Sequence, residues 1–344
     1  MTSWLEREIA SQPALIEALL RRELPHVREI VARLPSCSYA LIAARGSSDH
    51  AATYAKYSWG ALAGYPVALA TPSLYTVYHT PPRMADALVI GISQSGQSPD
   101  IVAALAEARR QGRPTLAITN EPASPLAATS DEVIALGVGA ERSVAATKTY
   151  LAEVTVMALL AAVWSGDEAR MAELEALPAA LDATLRGTEE IAGRAARYRE
   201  MEACTVIGRG YNYATAFELA LKLRELTYTL ASAYSSADFR HGPIATIGEG
   251  SPVMLIMPNG ATYPDLYDLA LDLRAREADL LVISDNPDAL ALATTPLPLA
   301  ASAPDWLSPL IAILPGQVFA LQLTLARGLD PDTPRGLNKV TRTL

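Results

Sequence analysis

Apolar positions recur along this chain in two periods, and the periods predict its elements. Over residues 1–35, Leu5, Ile9, Leu15, Ile16, Leu19, Leu20 and Ile30 fall at helical spacing, with breaks expected at Pro13 and Pro25. Short continuous apolar runs follow. Tyr39–Ala44 reads as a strand, Arg45-Gly46-Ser47-Ser48 as a turn and Asp49–Leu62 as a helix. Val67–Ala70, Ala87–Ile92, Thr115–Thr119 and Val133–Leu136 read as further strands, and Pro99–Gln111 as a helix. A long apolar helix is expected over Val144–Val163, preceded by Glu141-Arg142-Ser143. Strands that are apolar throughout and alternate with helices through short connections predict an α/β fold whose parallel sheet is covered on both faces.

The second half repeats the first. Arg45-Gly46 recurs as Arg209-Gly210, and Gly96 recurs as Gly260 at the same interval. Thr119-Asn120-Glu121-Pro122 has its partner in Ser284-Asp285-Asn286-Pro287, one residue off that interval. Each landmark follows a strand-like run, the second-half runs being Cys204–Ile207, Val253–Met257 and Leu280–Ile283. Two copies of one α/β unit are therefore expected, joined by the helical, charged stretch Asp167–Arg199. The expected organisation is a helical segment over 1–35, units over 36–166 and 200–330 with the connector 167–199 between them, and a tail over 331–344. Ligands of such sheets lie beyond the carboxyl ends of the strands, where every landmark falls.

Composition narrows the partners. Half of the 344 residues are hydrophobic and 19% are charged, so a large core is affordable. The net charge is −9 and no Lys/Arg cluster occurs, which argues against nucleic acid and anionic membranes as partners. Cys37 and Cys204 both begin apolar runs outside any metal-type spacing; two buried, reduced thiols and no metal are expected. Glu6 and Glu8 come early with no apolar stretch between, so no signal peptide is expected. Val154–Trp164, taken as the longest strongly apolar helical run, is too short to span a bilayer. These features together predict a soluble, cytoplasmic chain.

The candidate chemistry sits in a few short stretches. Ile90-Gly91-Ile92-Ser93-Gln94-Ser95-Gly96-Gln97-Ser98 joins a strand to a helix. Backbone N–H groups at the positive end of a helix, with serine hydroxyls and the Gln94 amide, would cradle an anion of phosphate size. No Gly-Lys-Ser/Thr follows, so a nucleotide P-loop is not indicated. The alternative is an ordinary turn whose serines cap the helix. The second copy has Met257-Pro258-Asn259-Gly260 instead, without hydroxyls and with a proline that lacks an N–H. One phosphate site per chain follows if the cradle reading holds.

In the second copy, Glu218, Lys222 and Glu225 share one face of an otherwise apolar helix. They read either as a solvated face with a routine salt bridge or as acid–base groups able to move protons on and off carbon. His241, before Gly242-Pro243, lies on a turn, either as a structural hydrogen-bonder or as an acid–base group. Lys148, in Thr147-Lys148-Thr149, either adds charge to the phosphate end or stands in solvent. Pro334-Arg335-Gly336-Leu337-Asn338-Lys339 reads locally as a basic tail.

Taken in order, Glu8–Pro13, Arg45–Ser48, Ile92–Ser98, Ser143–Lys148, Glu218–Glu225, Arg240–Pro243 and Pro334–Lys339 resemble the sugar-isomerase (SIS) domain family. Within it they resemble the isomerase half of glutamine–fructose-6-phosphate amidotransferase and, most nearly, the SIS-type glucosamine-6-phosphate deaminases. The resemblance implies two tandem SIS domains, each a flavodoxin-like αβα sandwich, and a homodimer. It implies that Ser48, Ser93, Gln94, Ser95 and Ser98 hold a sugar phosphate, and that Gly46, Ser47, Ala145 and Ala146 line the substrate. Glu225 would move the proton between C2 and C1, beside Lys222 and supported by Glu218. His241 would open the sugar ring from a neighbouring subunit, and Lys339 would approach the carbonyl end. No cofactor or metal is implied.

Departures accompany the likeness. Arg45 stands where the synthase has cysteine, Leu219 where it has glycine, and Arg224 where it has lysine. Met1-Thr2 offers no N-terminal cysteine nucleophile, which favours conversion of glucosamine 6-phosphate to fructose 6-phosphate and ammonia without glutamine. Rival expectations are another SIS aldose–ketose isomerase, a fructosamine-6-phosphate deglycase, and a non-catalytic sugar-phosphate sensor.

Overall fold

The computed structural model describes residues 2–339. They form two compact units. The first gathers Ala14–Glu141, Lys148–Glu175 and residues 338–339; the second gathers residues 2–13, Arg142–Thr147 and Ala176–Leu337.

Helix α1 (Trp4–Arg33) opens the chain. The first unit then runs β1 (Tyr39–Ala43), α2 (Ser47–Ala63), β2 (Val67–Leu69), α3 (Ser73–Thr76) and β3 (Ala87–Ile92). It continues with α4 (Pro99–Arg110), β4 (Thr115–Thr119), α5 (Pro125–Thr129), β5 (Glu132–Ala135) and α6 (Lys148–Ser165). Its five strands are all parallel, in the order β2-β1-β3-β4-β5. Every residue of β3 and β4 is buried, as expected of central strands covered on both faces, whereas the edge strand β2 is only half-buried. Helix α2 packs on α6, and Leu105 and Leu126 close on Gly91, where a Cβ would come within 2.8 Å of Leu126.

Helices α7 (Glu168–Arg186) and α8 (Ile191–Ala196) fill the stretch between the sheets. The second unit has β6 (Ala203–Gly208), α9 (Tyr213–Thr227), β7 (Leu230–Ser235), α10 (Ser236–Arg240) and β8 (Pro252–Ile256). There follow α11 (Tyr263–Ala275), β9 (Asp279–Ser284), α12 (Pro287–Leu292), β10 (Thr295–Pro298) and α13 (Ser308–Ala326). Its parallel order, β10-β9-β8-β6-β7, is that of the first sheet when β6 is matched to β1. Each sheet thus has the doubly wound order whose switch point lies between its first and third strands. The repeated landmarks also share backbone: Gly46 and Gly210 have φ of 53° and 59°, a region open to glycine at little cost.

The structure corrects four expectations. Helix α1 is not broken at Pro13 or Pro25 but runs for 30 residues. Pro13 cannot bond the Ile9 carbonyl; the Gln12 side chain donates to it instead, at 3.1 Å, so the gap in the helical ladder is filled locally. The long apolar helix of the first half begins at Lys148 rather than Val144. Glu141 sets that start, accepting from the Thr149 N–H at 3.2 Å and its hydroxyl at 2.6 Å as a detached cap. Cys37 is only half-buried, because it precedes β1 in a loop, and Cys204 alone is buried. The most apolar helix is α13 rather than Val154–Trp164; the helical stretch Asp305–Ala326 is long and apolar enough to cross a membrane, yet 78% of its most apolar 18-residue window is buried in its own unit.

Candidate functional site

In the first unit the loop from Ser93 to Ser98 leaves the carboxyl end of β3 at the β1/β3 switch point. Gly96 turns the loop at φ 60°, and a Cβ there would lie 2.0 Å from the Ser124 hydroxyl. The Ser93 hydroxyl accepts from the Gly96 N–H at 3.2 Å and lies 3.4 Å from the Ser98 hydroxyl. Ser98 occupies the N-cap position of α4, but its hydroxyl makes no capping bond. The serines are therefore not spent on capping. Among the described residues, the backbone N–H groups of Gln94, Ser95 and Ser98 have no protein acceptor. Ser93 is buried, while Gln94, Ser95 and Ser98 are half-buried.

The turn after β1 lies beside this loop. Ala43 is paired with Gly91, so Arg45 and Ser93 leave neighbouring strands at the same level. Ser47 and Ser48 start α2 behind Gly46. The Ser48 hydroxyl donates to Glu153 of α6 at 2.8 Å, which leaves its oxygen as an acceptor rather than a donor. Arg45 donates through Nε to Asp100 of α4 at 2.8 Å; Asp100 is fully buried and the arginine about half exposed.

The second unit repeats that pair. Arg209 meets Asp265 at 2.9 Å, and both aspartates follow a proline at the start of the helix after the third strand. Here the arginine also donates to Ser236 at 3.3 Å, and Asp265 accepts from Ser236 and, at 2.7 Å, from Arg240. Burial pushes the Asp265 carboxyl up, but the bonds from Ser236 and Arg209 and the charges of Arg240 and Arg209 outweigh it and hold it below the usual carboxylate range. Because Arg240 precedes His241, this cluster anchors the turn that carries the histidine. His241 itself is exposed at the end of α10, and its ring makes no hydrogen bond among the described residues.

The second-copy loop is closed upon itself. The Asn259 N–H donates to Asp285 at 2.7 Å and the Ala261 N–H to Asp305 at 3.0 Å. A Cβ on Gly260 would lie 2.3 Å from Asp305 Oδ1, so the loop is moulded on that carboxylate.

Helix α9 carries the carboxylates. Glu218 is fully buried, Lys222 is 1% exposed, and Glu225 is 22% exposed. Lys222 Nζ lies 3.3 Å from Glu218 and 2.5 Å from Glu225. Burial works against the ammonium, but the charges of Glu218 and Glu225 dominate and hold its pKa well above that of a free lysine. The trio is thus no solvated stripe but a buried cation between two acids. The departure at Leu219 has a packing reason: a Cβ at Gly316 of α13 would lie 2.3 Å from this side chain, so the space taken on α9 is returned on α13.

The remaining residues are placed as follows. Ala145 is fully buried and offers a ligand no surface in this arrangement, while Ala146 is half-buried. Their segment is fixed by Glu8 of α1, which accepts from the N–H groups of Arg142 and Ser143 at 2.6 and 3.2 Å. Lys148 is buried and donates to the Ala140 carbonyl at 2.8 Å, so it does not stand in solvent. Lys339 reaches Glu141 at 2.8 Å. The tail before it is tied down: Asp332 accepts from the Trp4 and Leu5 N–H groups, and the Arg335 N–H donates to the Tyr228 hydroxyl at 2.7 Å. The Arg335 guanidinium also lies over the Tyr228 ring, 4.6 Å from its centre.

Sequence reading missed Glu8, the two Arg–Asp pairs and the Tyr228 tie. The pairs had a signal: Pro99-Asp100 and Pro264-Asp265 recur within one residue of the same distance from Arg45 and Arg209.

Two doubly wound sheets, one with a hydroxyl-lined loop at its switch point, define a duplicated α/β protein. The chain belongs to the SIS domain family, whose model matches residues 34–163 and 199–326. It is 38% identical over 312 residues to the isomerizing glutamine–fructose-6-phosphate aminotransferase of Gloeobacter violaceus, a match that covers 87% of this chain and 51% of the relative. The chain spans about half the length of the curated relatives it matches. A candidate phosphosugar isomerase of Silicibacter pomeroyi superposes with a TM-score of 0.85 at 34% identity, over 96% of this chain and 100% of that one. The C-terminal domain of the glucosamine–fructose-6-phosphate aminotransferase of Francisella tularensis shares the fold, with a TM-score of 0.88 at 24% identity over 97% and 99% of the two chains.

Proposed function

We propose that this chain isomerises an amino-sugar 6-phosphate and releases its nitrogen, converting glucosamine 6-phosphate to fructose 6-phosphate and ammonia. The observation that carries the reading is the Glu218–Lys222–Glu225 trio, a buried lysine between a buried and a partly exposed carboxylate. Aldose–ketose interconversion needs a base that takes a proton from one carbon and returns it to the next, and a positive charge for the enediol-type intermediate. Lys222, kept protonated by its two neighbours, serves as the fixed charge. Glu225, partly exposed, serves as the base that carries hydrogen from C2 to C1, and Glu218 holds the lysine in place. The resulting imine is hydrolysed to the ketose and ammonia.

The loop over Ser93, Gln94, Ser95 and Ser98 grips the phosphate, with Gly46, Ser47 and Ser48 beside it. An anchored phosphate holds the substrate in one geometry, and such positioning supplies much of a rate enhancement. His241 opens the sugar ring and comes from the neighbouring subunit of a homodimer, and Lys339 approaches the carbonyl end. Relatives named as aminotransferases that act with fructose 6-phosphate support the substrate class.

The test needs no glutamine. Incubation with glucosamine 6-phosphate should release ammonia and fructose 6-phosphate in equal amounts. Ketose phosphate formed from a hexose 6-phosphate without nitrogen, and none from the amino sugar, would favour the second reading, a phosphosugar isomerase such as the Silicibacter pomeroyi likeness suggests.

A further inference from the structure

The donors of the serine loop are all neutral, yet a phosphate monoester near neutral pH carries close to two negative charges. The first unit holds a cation at the level of that loop. Arg45 leaves β1 where Ser93 leaves β3, since Ala43 and Gly91 are paired strand neighbours. Its Nε donates to Asp100 at 2.8 Å, and Asp100 lies in the first turn of α4, directly after the loop. Asp100 is fully buried, whereas the arginine side chain is 49% exposed. A guanidinium held by Nε alone keeps four further N–H donors, and among the described residues neither Nη makes a hydrogen bond.

The second copy shows what an arginine in this place does when it serves the protein alone. Arg209 uses an Nη for both Asp265 and Ser236, and Asp265 is shared with Arg240. There the loop amides are taken by Asp285 and Asp305. In the first copy, the free Nη groups of Arg45 and the N–H groups of Gln94, Ser95 and Ser98 occur together.

We infer that Arg45 is a phosphate-binding residue, its guanidinium aimed by Asp100 so that the Nη groups pair with the phosphate held by the serine loop. The inference rests on the reading of that loop as a phosphate site and adds the charge the loop lacks. Asp100 is the positioning residue: it fixes the guanidinium plane and does not touch the ligand. The ligand chemistry is a phosphate dianion, either free or as a sugar monoester.

The test measures binding and turnover on the whole chain. Inorganic phosphate and glucosamine 6-phosphate are titrated by calorimetry into the unchanged protein, Arg45→Ala and Arg45→Lys, with glucosamine as the uncharged-tail control. A charge-assisted hydrogen bond lost from the site should weaken both phosphates about ten- to a hundredfold in Arg45→Ala. Arg45→Lys should recover part of the loss, and the affinity for glucosamine should not change. KM should rise with kcat nearly constant, because the phosphate is gripped throughout the reaction. Should Arg45→Ala fail to fold with Asp100 left unpaired, Arg45→Met/Asp100→Asn removes the pair together and carries the same expectation.

Equal phosphate affinity in a folded Arg45 variant and the unchanged chain would overturn the role of Arg45 and leave the serine site standing. No phosphate binding by the unchanged chain would overturn both. Binding of inorganic phosphate without glucosamine 6-phosphate would identify the source of the anion as the free ion, and the arginine's role would still be read from its variant.

Discussion

At the scale of single residues, the acids and bases of α9 differ in what their loss should cost. Glu225→Gln keeps size and hydrogen bonding but removes the proposed base; turnover should fall by about 10²–10⁴-fold with sugar-phosphate affinity largely kept, as steady-state kinetics and calorimetry would reveal. Comparable turnover would remove Glu225 from the reaction. Lys222→Met removes the cation held between Glu218 and Glu225, and chemical denaturation should show a loss of about 3–5 kcal/mol. Because the pairing raises the Lys222 pKa, its stabilising effect is complete below the free-lysine value of about 10.4 and is lost only as pH rises above it. Asp265 works in the opposite direction. Its lowered pKa means its stabilising effect is complete above about pH 4 and fades as pH falls through the folded value. Asp265→Asn should therefore be less stable than the unchanged chain at pH 7, by about 1–3 kcal/mol, with the gap closing below pH 4 in urea titrations. The residues legible in the sequence were those whose chemistry is local: three serines in one loop, three charges on one helix face. Arg45–Asp100 and Glu8 with Arg142 and Ser143 were not, since each joins positions that only the folded sheet or helix brings together.

At the scale of elements, apolar runs located the central strands to within a residue or two, because a strand buried on both faces has no polar positions to blur it. Helix ends were harder to read. Pro13 reads as a break, but the Gln12 side chain replaces the missing donor. Val144 reads as a helix start, but Glu141 caps from seven residues ahead of Lys148. Helices α9 and α13 meet through Leu219 and Gly316, so Gly316→Ala should cost about 1–3 kcal/mol by overpacking and should disturb the helix that carries Glu218. Thermal melts should show the loss, and Gly316→Ala/Leu219→Ala should recover part of it by returning the space. No recovery would place the constraint elsewhere on α13.

At the scale of the whole molecule, the duplication was readable because its landmarks are glycines and prolines that the strand ends require, and the two sheets do share one strand order. Subunit exchange tests the assembly. If His241 serves a neighbouring chain, a mixture of His241→Ala and Glu225→Gln proteins should regain activity that neither has alone, because hybrid dimers hold one intact set. No recovery, or full activity from a monomer in gel filtration, would return His241 to its own chain.

The second-copy loop, with Asp285 and Asp305 on its amides, bears on what a bound ligand does to the fold. A strand-end loop of this build has a standing demand for negative charge. One half of the molecule meets the demand from its own covalent chain, and so is finished the moment it folds. On the proposed reading of the serine loop, the other half meets it only with an anion that diffuses in and out. Its loops should therefore grow steadier as substrate accumulates, while their counterparts in the second half remain indifferent to it.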